Sequence, residues 1–214
     1  MGSKQYASDL LVNTMPRIKT NRREEVQNQI IMAAFEVAHE KDWDAVTLDL
    51  IAQHIGVTKP ALYSYFESRD MLIRSVLLKI LEKLTTAIES LVAQEIDIRH
   101  FIRALADILV FEMGAEDPIF FQINPKLFQE KGSLEELKKH LDFVHDQICA
   151  TLVRAQAKGE LSRELDPSAS TTAIMMMTMG VRGAGMVFNQ DPQEIKTIWI
   201  TSVERLLLLE PAGD

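Results

Sequence analysis

Residues 46–66 read VTLDLIAQHIGVTKPALYSYF, and this stretch decides the fold. It predicts a short helix over 48–55 and a second short helix over 59–66. Thr47 has the side chain of a helix N-cap, and Gly56 has the freedom that a C-terminal stop requires. Two short helices joined by a turn centred on glycine are typical of a helix-turn-helix.

The two short helices divide their side chains between an apolar and a polar side. The apolar residues stand where the helices must pack on each other, and they are Leu48, Ile51, Ala52, Ile55, Val57 and Leu62. The residues left to face outward are Lys59, Ala61, Tyr63, Ser64 and Tyr65. Exposed tyrosines and a lysine suit phosphates and base edges. The pattern therefore predicts double-stranded DNA as a partner.

Helical periodicity continues on both sides of this motif. Helices are predicted over 22–40 before it and from Ser68, a cap, to Leu91 after it. Further helices are predicted at 97–113, 117–130, 134–158, 167–187 and 192–209, separated mainly by Asx-Pro and Gly-Ser steps. The predicted fold is all-α: a flexible arm (1–20), a three-helix helix-turn-helix domain (21–67) and a larger helical regulatory and dimerisation domain (68–214).

Charge is distributed unevenly along the 214 residues. The net charge is −8, but residues 1–75 carry only −1 and residues 76–214 carry −7. Contacts with DNA phosphates need cations, and the negative net charge of the chain by itself speaks against them. Because the acidic excess lies in residues 76–214, a basic face near the N-terminus is still possible. Because the chain has a single cysteine, no signal-peptide pattern and no membrane-length apolar run, we expect a cytoplasmic protein outside the membrane.

Residues 22–76 resemble the TetR family of transcriptional regulators. The resemblance rests on the strings IIMAAF (30–35), VTLDLIA (46–52), GVTKPALYSYF (56–66) and SRDML (68–72). It implies that phosphates are held by Thr47, Tyr63, Tyr65 and Arg69, and that bases face Lys59, Pro60, Ala61 and Ser64. Thr58, which can cap the second helix, completes the predicted DNA interface. The chain departs from the family pattern at three positions. Arg69 stands where lysine is usual, and Pro60 stands where glycine is commoner. Asp49 stands where some relatives carry a cation or a polar group, and it is not expected to touch phosphate.

The last two predicted helices, 167–187 and 192–209, are apolar nearly all round. Such helices are buried on two sides. One side can pack on the chain's own core, and the other then needs a partner. The family resemblance implies a homodimer whose interface is a four-helix arrangement of these two helices from each subunit. Burial of both sides within one large monomer core is the alternative.

The region spanning 97–188 combines large apolar side chains with a few polar groups, as a small-molecule site does. The candidate ligand-binding residues are His100, Phe101, Leu105, Phe121, His140, Phe143, Gln147, Met176 and Met179. The effector is expected to be mostly apolar, and its identity is unknown. A cavity of a few hundred Å³ is expected. The methionines suit a packed core or interface as well as a pliable pocket wall.

The chain also contains a His–Cys pair, His145 and Cys149, one helical turn apart. Two ligands do not make a zinc site, and no phosphate loop or nucleophile elbow appears. We therefore predict neither an enzyme nor a metal site or cofactor. The predicted function is a ligand-responsive, homodimeric DNA-binding regulator, most simply a repressor that leaves its operator when ligand binds. The alternatives are a small-molecule-binding or enzymatic helical protein with no DNA role, and a DNA binder without a ligand.

Overall fold

The structure, a computed structural model, describes residues 22–41, 43–112, 133–188 and 191–209. Within these ranges the chain forms helices and turns and no strand, which confirms the all-α prediction. The predicted arm and the predicted helix over 117–130 lie outside the described residues. The chain divides into two compact units, Met1–Arg69 and Asp70–Asp214, and each is described by itself.

The first unit contains three α-helices among its described residues. They are α1 (Arg22–Lys41), α2 (Leu48–His54) and α3 (Lys59–Tyr63), with a 3₁₀ turn at Trp43–Ala45 before α2. Residues from every one of these elements are buried, among them Ile30, Ala34, Trp43, Ile51 and Leu62. The core of the unit therefore forms where the helices meet.

Local signals account for both ends of α2. The Thr47 hydroxyl accepts a hydrogen bond from the Leu50 N–H at 3.2 Å, as an N-cap does. Gly56 has a φ of +70°, a left-handed conformation that glycine adopts without strain. Thr58 also stands at an N-cap, but its side chain makes no capping bond, contrary to the prediction. Because Pro60 has no N–H, one of the two usual partners of such a cap is absent.

The helix α3 is shorter than the predicted 59–66. It ends at Tyr63, and the Tyr65 N–H bonds the Leu62 carbonyl at 2.9 Å in a tight turn. This turn brings Phe66 into the core, where it is buried.

The second unit is built from longer helices. They are α4 (Arg69–Val92), which begins at the last residue of the first unit, α5 (Ile98–Ala106), α6 (Ser133–Lys158), α7 (Pro167–Phe188) and α8 (Pro192–Leu206). The predicted helix over 97–113 differs in its second half, since Asp107–Glu112 is π-helical. No helix in the described ranges is both long enough and apolar enough to span a membrane.

Aspartates cap three helices of this unit. The Asp97 carboxylate accepts from the N–H groups of Arg99 and His100, each at 3.1 Å. Asp166 caps α7 in the same way and accepts from the Ser168 N–H at 2.9 Å. Asp191 caps α8 and accepts from the Gln193 N–H at 2.7 Å. Both precede proline, as the Asx-Pro pattern predicted. These caps hold α7 and α8 at their starting points.

An apolar cluster lies among the described residues of the second unit, with buried residues from all five helices. Its members include Ile88, Phe101, Leu105, Ile148, Ile174, Trp199 and Val203. Trp199 is fully buried, and its indole N–H donates to the Thr178 hydroxyl at 3.0 Å. This bond joins α8 to α7, because a buried indole N–H requires a partner.

Candidate nucleic-acid interface

The helix α3 has one buried anchor and an otherwise exposed surface. Leu62 is 1% exposed and fixes the helix in the core of the first unit. The exposed residues are those predicted to meet DNA, namely Lys59, Pro60, Ala61, Tyr63 and Ser64. Tyr63 is 45% exposed, which is unusual for so large an aromatic side chain. The structure therefore places these predicted contact residues on α3 and at its C-cap, Ser64, with their side chains exposed.

A groove runs between α2 and α3 on this surface. Its walls are Thr47, Asp49, Leu50, Ala52, Gln53, Val57, Thr58 and Lys59. The Thr47 hydroxyl accepts its capping bond from the backbone, so its own proton remains suited to donation to a phosphate oxygen. Three of the predicted contact residues, Thr47, Thr58 and Lys59, thus line one groove.

Lys59 forms an ion pair that its sequence position did not reveal. Its ammonium lies 2.5 Å from a carboxylate oxygen of Asp49 on α2. The hydrogen bond that Lys59 donates to Asp49, together with the charge of that carboxylate, raises the pKa of Lys59 above its ordinary value. The lysine is therefore charged at neutral pH. The two residues are ten positions apart on different helices, so no helical spacing pairs them.

Arg23 is a residue that the predicted interface left out. Its guanidinium donates to the Ser64 carbonyl at 3.0 Å and lies 5.4 Å from the centre of the Tyr65 ring. A guanidinium over an aromatic face is a favourable cation–π arrangement. This contact adds a cation at the C-terminal end of α3. Arg23 is the second residue of α1, and the sequence had indicated only that a basic face near the N-terminus was possible.

Arg69 has a structural role in addition to its predicted phosphate contact. Its guanidinium donates to the carbonyls of Val46 at 2.6 Å and Trp43 at 2.7 Å, and the side chain is half-buried. The planar fork of arginine suits two such acceptors at once. Arg69 therefore holds the segment that leads into Thr47 and α2. Its contact with phosphate stays a prediction.

The predicted ligand residues are not gathered into one site among the described residues. Phe101 and Leu105 are buried in the core cluster, whereas His100 is exposed and hydrogen-bonds the Asp97 carboxylate. Met176 and Met179 are exposed on α7. On α5, Phe101 and Leu105 thus face the core while His100 faces outward, and the expectation that these residues bind a ligand stays a prediction.

The other ligand candidates lie on α6 or outside the described ranges. His140, Phe143 and Gln147 are half-buried on α6, and the His140 Nδ1 lies 3.1 Å from the Thr85 hydroxyl. Phe121 lies outside the described residues. Their role in ligand binding stays a prediction.

A small cavity lies between α4, α5 and α6 in the second unit. Its volume is about 20 Å³, and its polar walls include Thr151, Arg154, Lys158 and Glu160. Such a volume admits about one water molecule, while ligand sites usually need a few hundred Å³. The larger cavity expected between residues 97 and 188 therefore stays a prediction, since residues 113–132 of that range are not among those described.

The His–Cys pair on α6 does not form part of a larger ligand set in the described chain. His145 lies 3.3 Å from the Thr172 hydroxyl, and Cys149 is half-buried. Across the described ranges, no three His, Cys, Asp or Glu side chains stand together as a metal site.

Comparisons with known proteins agree with this geometry. Residues 30–76 match the sequence model of the bacterial regulatory proteins of the tetR family. The chain is 32% identical over 85 residues to the HTH-type transcriptional activator FasR of Mycolicibacterium smegmatis (strain ATCC 700084 / mc(2)155). That match covers 40% of this chain, and it spans about two fifths (39%) of the relative's own length.

Two solved structures share the fold over most of the chain. A TetR transcription regulator from Haloarcula marismortui ATCC 43049 has a TM-score of 0.70 at 16% identity, over 86% of this chain and 96% of that one. The fatty acid degradation regulator FadR from Bacillus halodurans has a TM-score of 0.67 at 19% identity, over 92% and 100%. Residues 30–76, which contain the helix-turn-helix, are thus similar to the bacterial regulatory proteins of the tetR family, and the chain shares its all-helical fold with these solved structures.

Proposed function

We propose that this chain is a TetR-family regulator, which binds operator DNA as a homodimer and represses transcription until a small, mostly apolar ligand releases it. The observation that carries the DNA-binding part is the surface of α3. Leu62 anchors this helix, while Lys59, Tyr63 and Ser64 are exposed on it. Because the proposed partner is chromosomal DNA, we expect the protein to act in the cytoplasm.

The shortness of α3 favours binding by two copies. A helix of five residues offers few side chains to base edges, so one copy reads little sequence. Two recognition helices that enter successive major grooves, about 34–36 Å apart, double these contacts and fit a palindromic site. A homodimer with two-fold symmetry supplies this arrangement.

Exposed apolar side chains on α7 and α8 support the homodimer. Met176 on α7 is 67% exposed and Ile198 on α8 is 48% exposed, while Ile174 and Trp199 of the same helices are buried in the chain's own core. Each helix thus packs apolar residues on the chain's own core and also exposes a large apolar side chain on its outer side. A second copy that packs on the outer sides buries them in an isologous interface, in which the same patch serves both subunits.

Repression is the direction of regulation that requires the fewest additional contacts. A dimer that covers its operator excludes other proteins by occupying the DNA, whereas activation also requires a contact with the transcription machinery. The mycobacterial relative is by name an activator, and its match covers 39% of its length. A reporter gene behind the operator separates the two, since deletion of a repressor raises expression and deletion of an activator lowers it.

The DNA interface is tested by titrating variants on a duplex selected from a random pool and on its scrambled form, at fixed salt. Tyr63→Ala is expected to weaken both duplexes alike, by about tenfold, since a hydrogen bond to a charged group contributes about 1.5–3 kcal/mol. Lys59→Ala is expected to change sequence preference as well. Tyr63→Phe is the control that removes only the hydroxyl, and thermal unfolding confirms that each variant folds. Unchanged binding in all variants would refute the assignment of α3.

The effector is tested by thermal shift and DNA titration with a panel of mostly apolar compounds. At a hundred times its Kd, a ligand is expected to stabilise the protein by about 2.7 kcal/mol. The ligand is also expected to lower the affinity of the protein for its operator. By linkage, the operator lowers the affinity for the ligand by the same factor. The thermal shift should persist in Tyr63→Ala, because the ligand site is proposed to lie in the second unit. If no compound shifts the unfolding temperature, the protein is a DNA binder without such a ligand.

A further inference from the structure

The pair formed by Lys59 and Asp49 places a negative charge on the surface proposed to meet DNA. Both side chains are exposed, and the ammonium and carboxylate are 2.5 Å apart. They are the two charged members of the eight residues that line the groove between α2 and α3, so the groove carries no net charge. This arrangement is unexpected for a surface that must approach phosphates, which attract cations and repel carboxylates.

The pair changes which DNA groups Lys59 can bind favourably. A lysine that replaces a phosphate counterion contributes to binding on any sequence. A lysine already neutralised by Asp49 contributes little of this attraction. Its ammonium still has three N–H donors, and Asp49 uses one of them. The others can donate to acceptors on a base edge, such as O6 and N7 of guanine in the major groove.

We propose that Asp49 is a specificity-determining positioning residue, which holds Lys59 for a base-edge acceptor and prevents it from acting as a general phosphate contact. This inference rests on the proposed DNA binding. Asp49 itself need not touch DNA, because it acts through Lys59. The pair lowers affinity for random sequence and so raises the ratio of operator to non-operator binding.

The test is the salt dependence of binding to a random-sequence 30-base-pair duplex. Asp49→Asn keeps the size of the side chain and removes its charge, so Lys59 becomes available to a phosphate. The slope of log K against log salt is expected to steepen by about 0.9 for each subunit. When the salt concentration is lowered fourfold, the ratio of variant affinity to wild-type affinity should therefore rise about threefold for each subunit. Asp49→Glu, which keeps the charge, should retain the wild-type slope.

The matched control is Asp142→Asn. Asp142 forms the same kind of exposed pair with Lys138, on α6 of the second unit. Its substitution removes the same charge from the protein as a whole, and the slope is expected to stay as in the wild type. An equal change in both variants would overturn the proposal, because the effect would then come from overall charge.

Sequence discrimination provides the second measurement. On the selected operator and its scrambled form, Asp49→Asn is expected to lower the affinity ratio by about tenfold, the order of one base contact. When Lys59 is already replaced by alanine, Asp49→Asn should leave the salt slope unchanged. If Asp49→Asn steepens the slope equally in that background, Asp49 does not act through Lys59.

The outcomes separate this inference from the proposed function. A wild-type protein that binds no duplex refutes DNA binding itself. A wild type that binds, with a folded Asp49→Asn variant of unchanged slope and unchanged ratio, refutes only the role of Asp49. Weaker binding of Asp49→Asn to random DNA would also overturn it, since Asp49 would then support phosphate contacts.

Discussion

Ile198→Glu is expected to dissociate the homodimer and to lower operator affinity more than a hundredfold. Ile198 is 48% exposed on α8, so a single chain can hold a glutamate there in contact with water. In the proposed interface the same side chain is buried, and an unpaired buried charge costs several kcal/mol. The two-fold symmetry introduces this charge twice. Two linked recognition helices bind far more tightly than one, so a monomer loses most of the affinity.

Sedimentation at micromolar concentration and operator titration measure this effect. Met71→Glu is the matched control for assembly, because Met71 is a similarly exposed apolar residue, 42% exposed, on α4. It is expected to remain dimeric. A wild-type protein that sediments as a monomer contradicts the homodimer. If Ile198→Glu stays dimeric with full affinity, the interface lies on another surface.

Trp199→Ala is expected to lower the free energy of unfolding by about 3–5 kcal/mol, the usual cost of deleting a large core aromatic. Trp199 is fully buried among apolar residues of the second unit. The substitution leaves a cavity between α7 and α8 and also removes the bond from the indole N–H to Thr178. Both losses fall on the helices proposed to dimerise.

Two milder variants separate these losses. Trp199→Phe keeps much of the apolar volume and removes the indole N–H, while the Thr178 hydroxyl still donates to the Ile174 carbonyl at 2.8 Å. Thr178→Val leaves the indole N–H buried without its acceptor, at a cost of about 1–3 kcal/mol. Urea unfolding at one fixed protein concentration gives the comparison, because the stability of a dimer depends on concentration. A loss below 1 kcal/mol in Trp199→Ala would contradict the packing described for this site.

The sequence by itself determined the features that depend on residues within one or two helical turns. Thr47 caps α2, Gly56 ends the turn at positive φ, and Asp166 and Asp191 cap α7 and α8 where the pattern placed them. Such caps and periodic apolar positions involve residues at most four apart, so they are visible in one stretch of sequence. The same local signals predicted the helix-turn-helix and carry the resemblance to the TetR family.

Only the tertiary structure decided which partners distant side chains take. Lys59 meets Asp49 across ten residues, Trp199 meets Thr178 across 21, and Arg69 reaches the Trp43 carbonyl across 26. None of these separations follows a helical repeat. Each pairing depends on how two elements pack, and packing is set by the combined burial of many side chains. For the same reason, the sequence identifies Lys59 and Arg69 as candidate DNA contacts, but only the packed helices show the partners that they bind within the protein: the Asp49 carboxylate for Lys59, and the carbonyls of Val46 and Trp43 for Arg69.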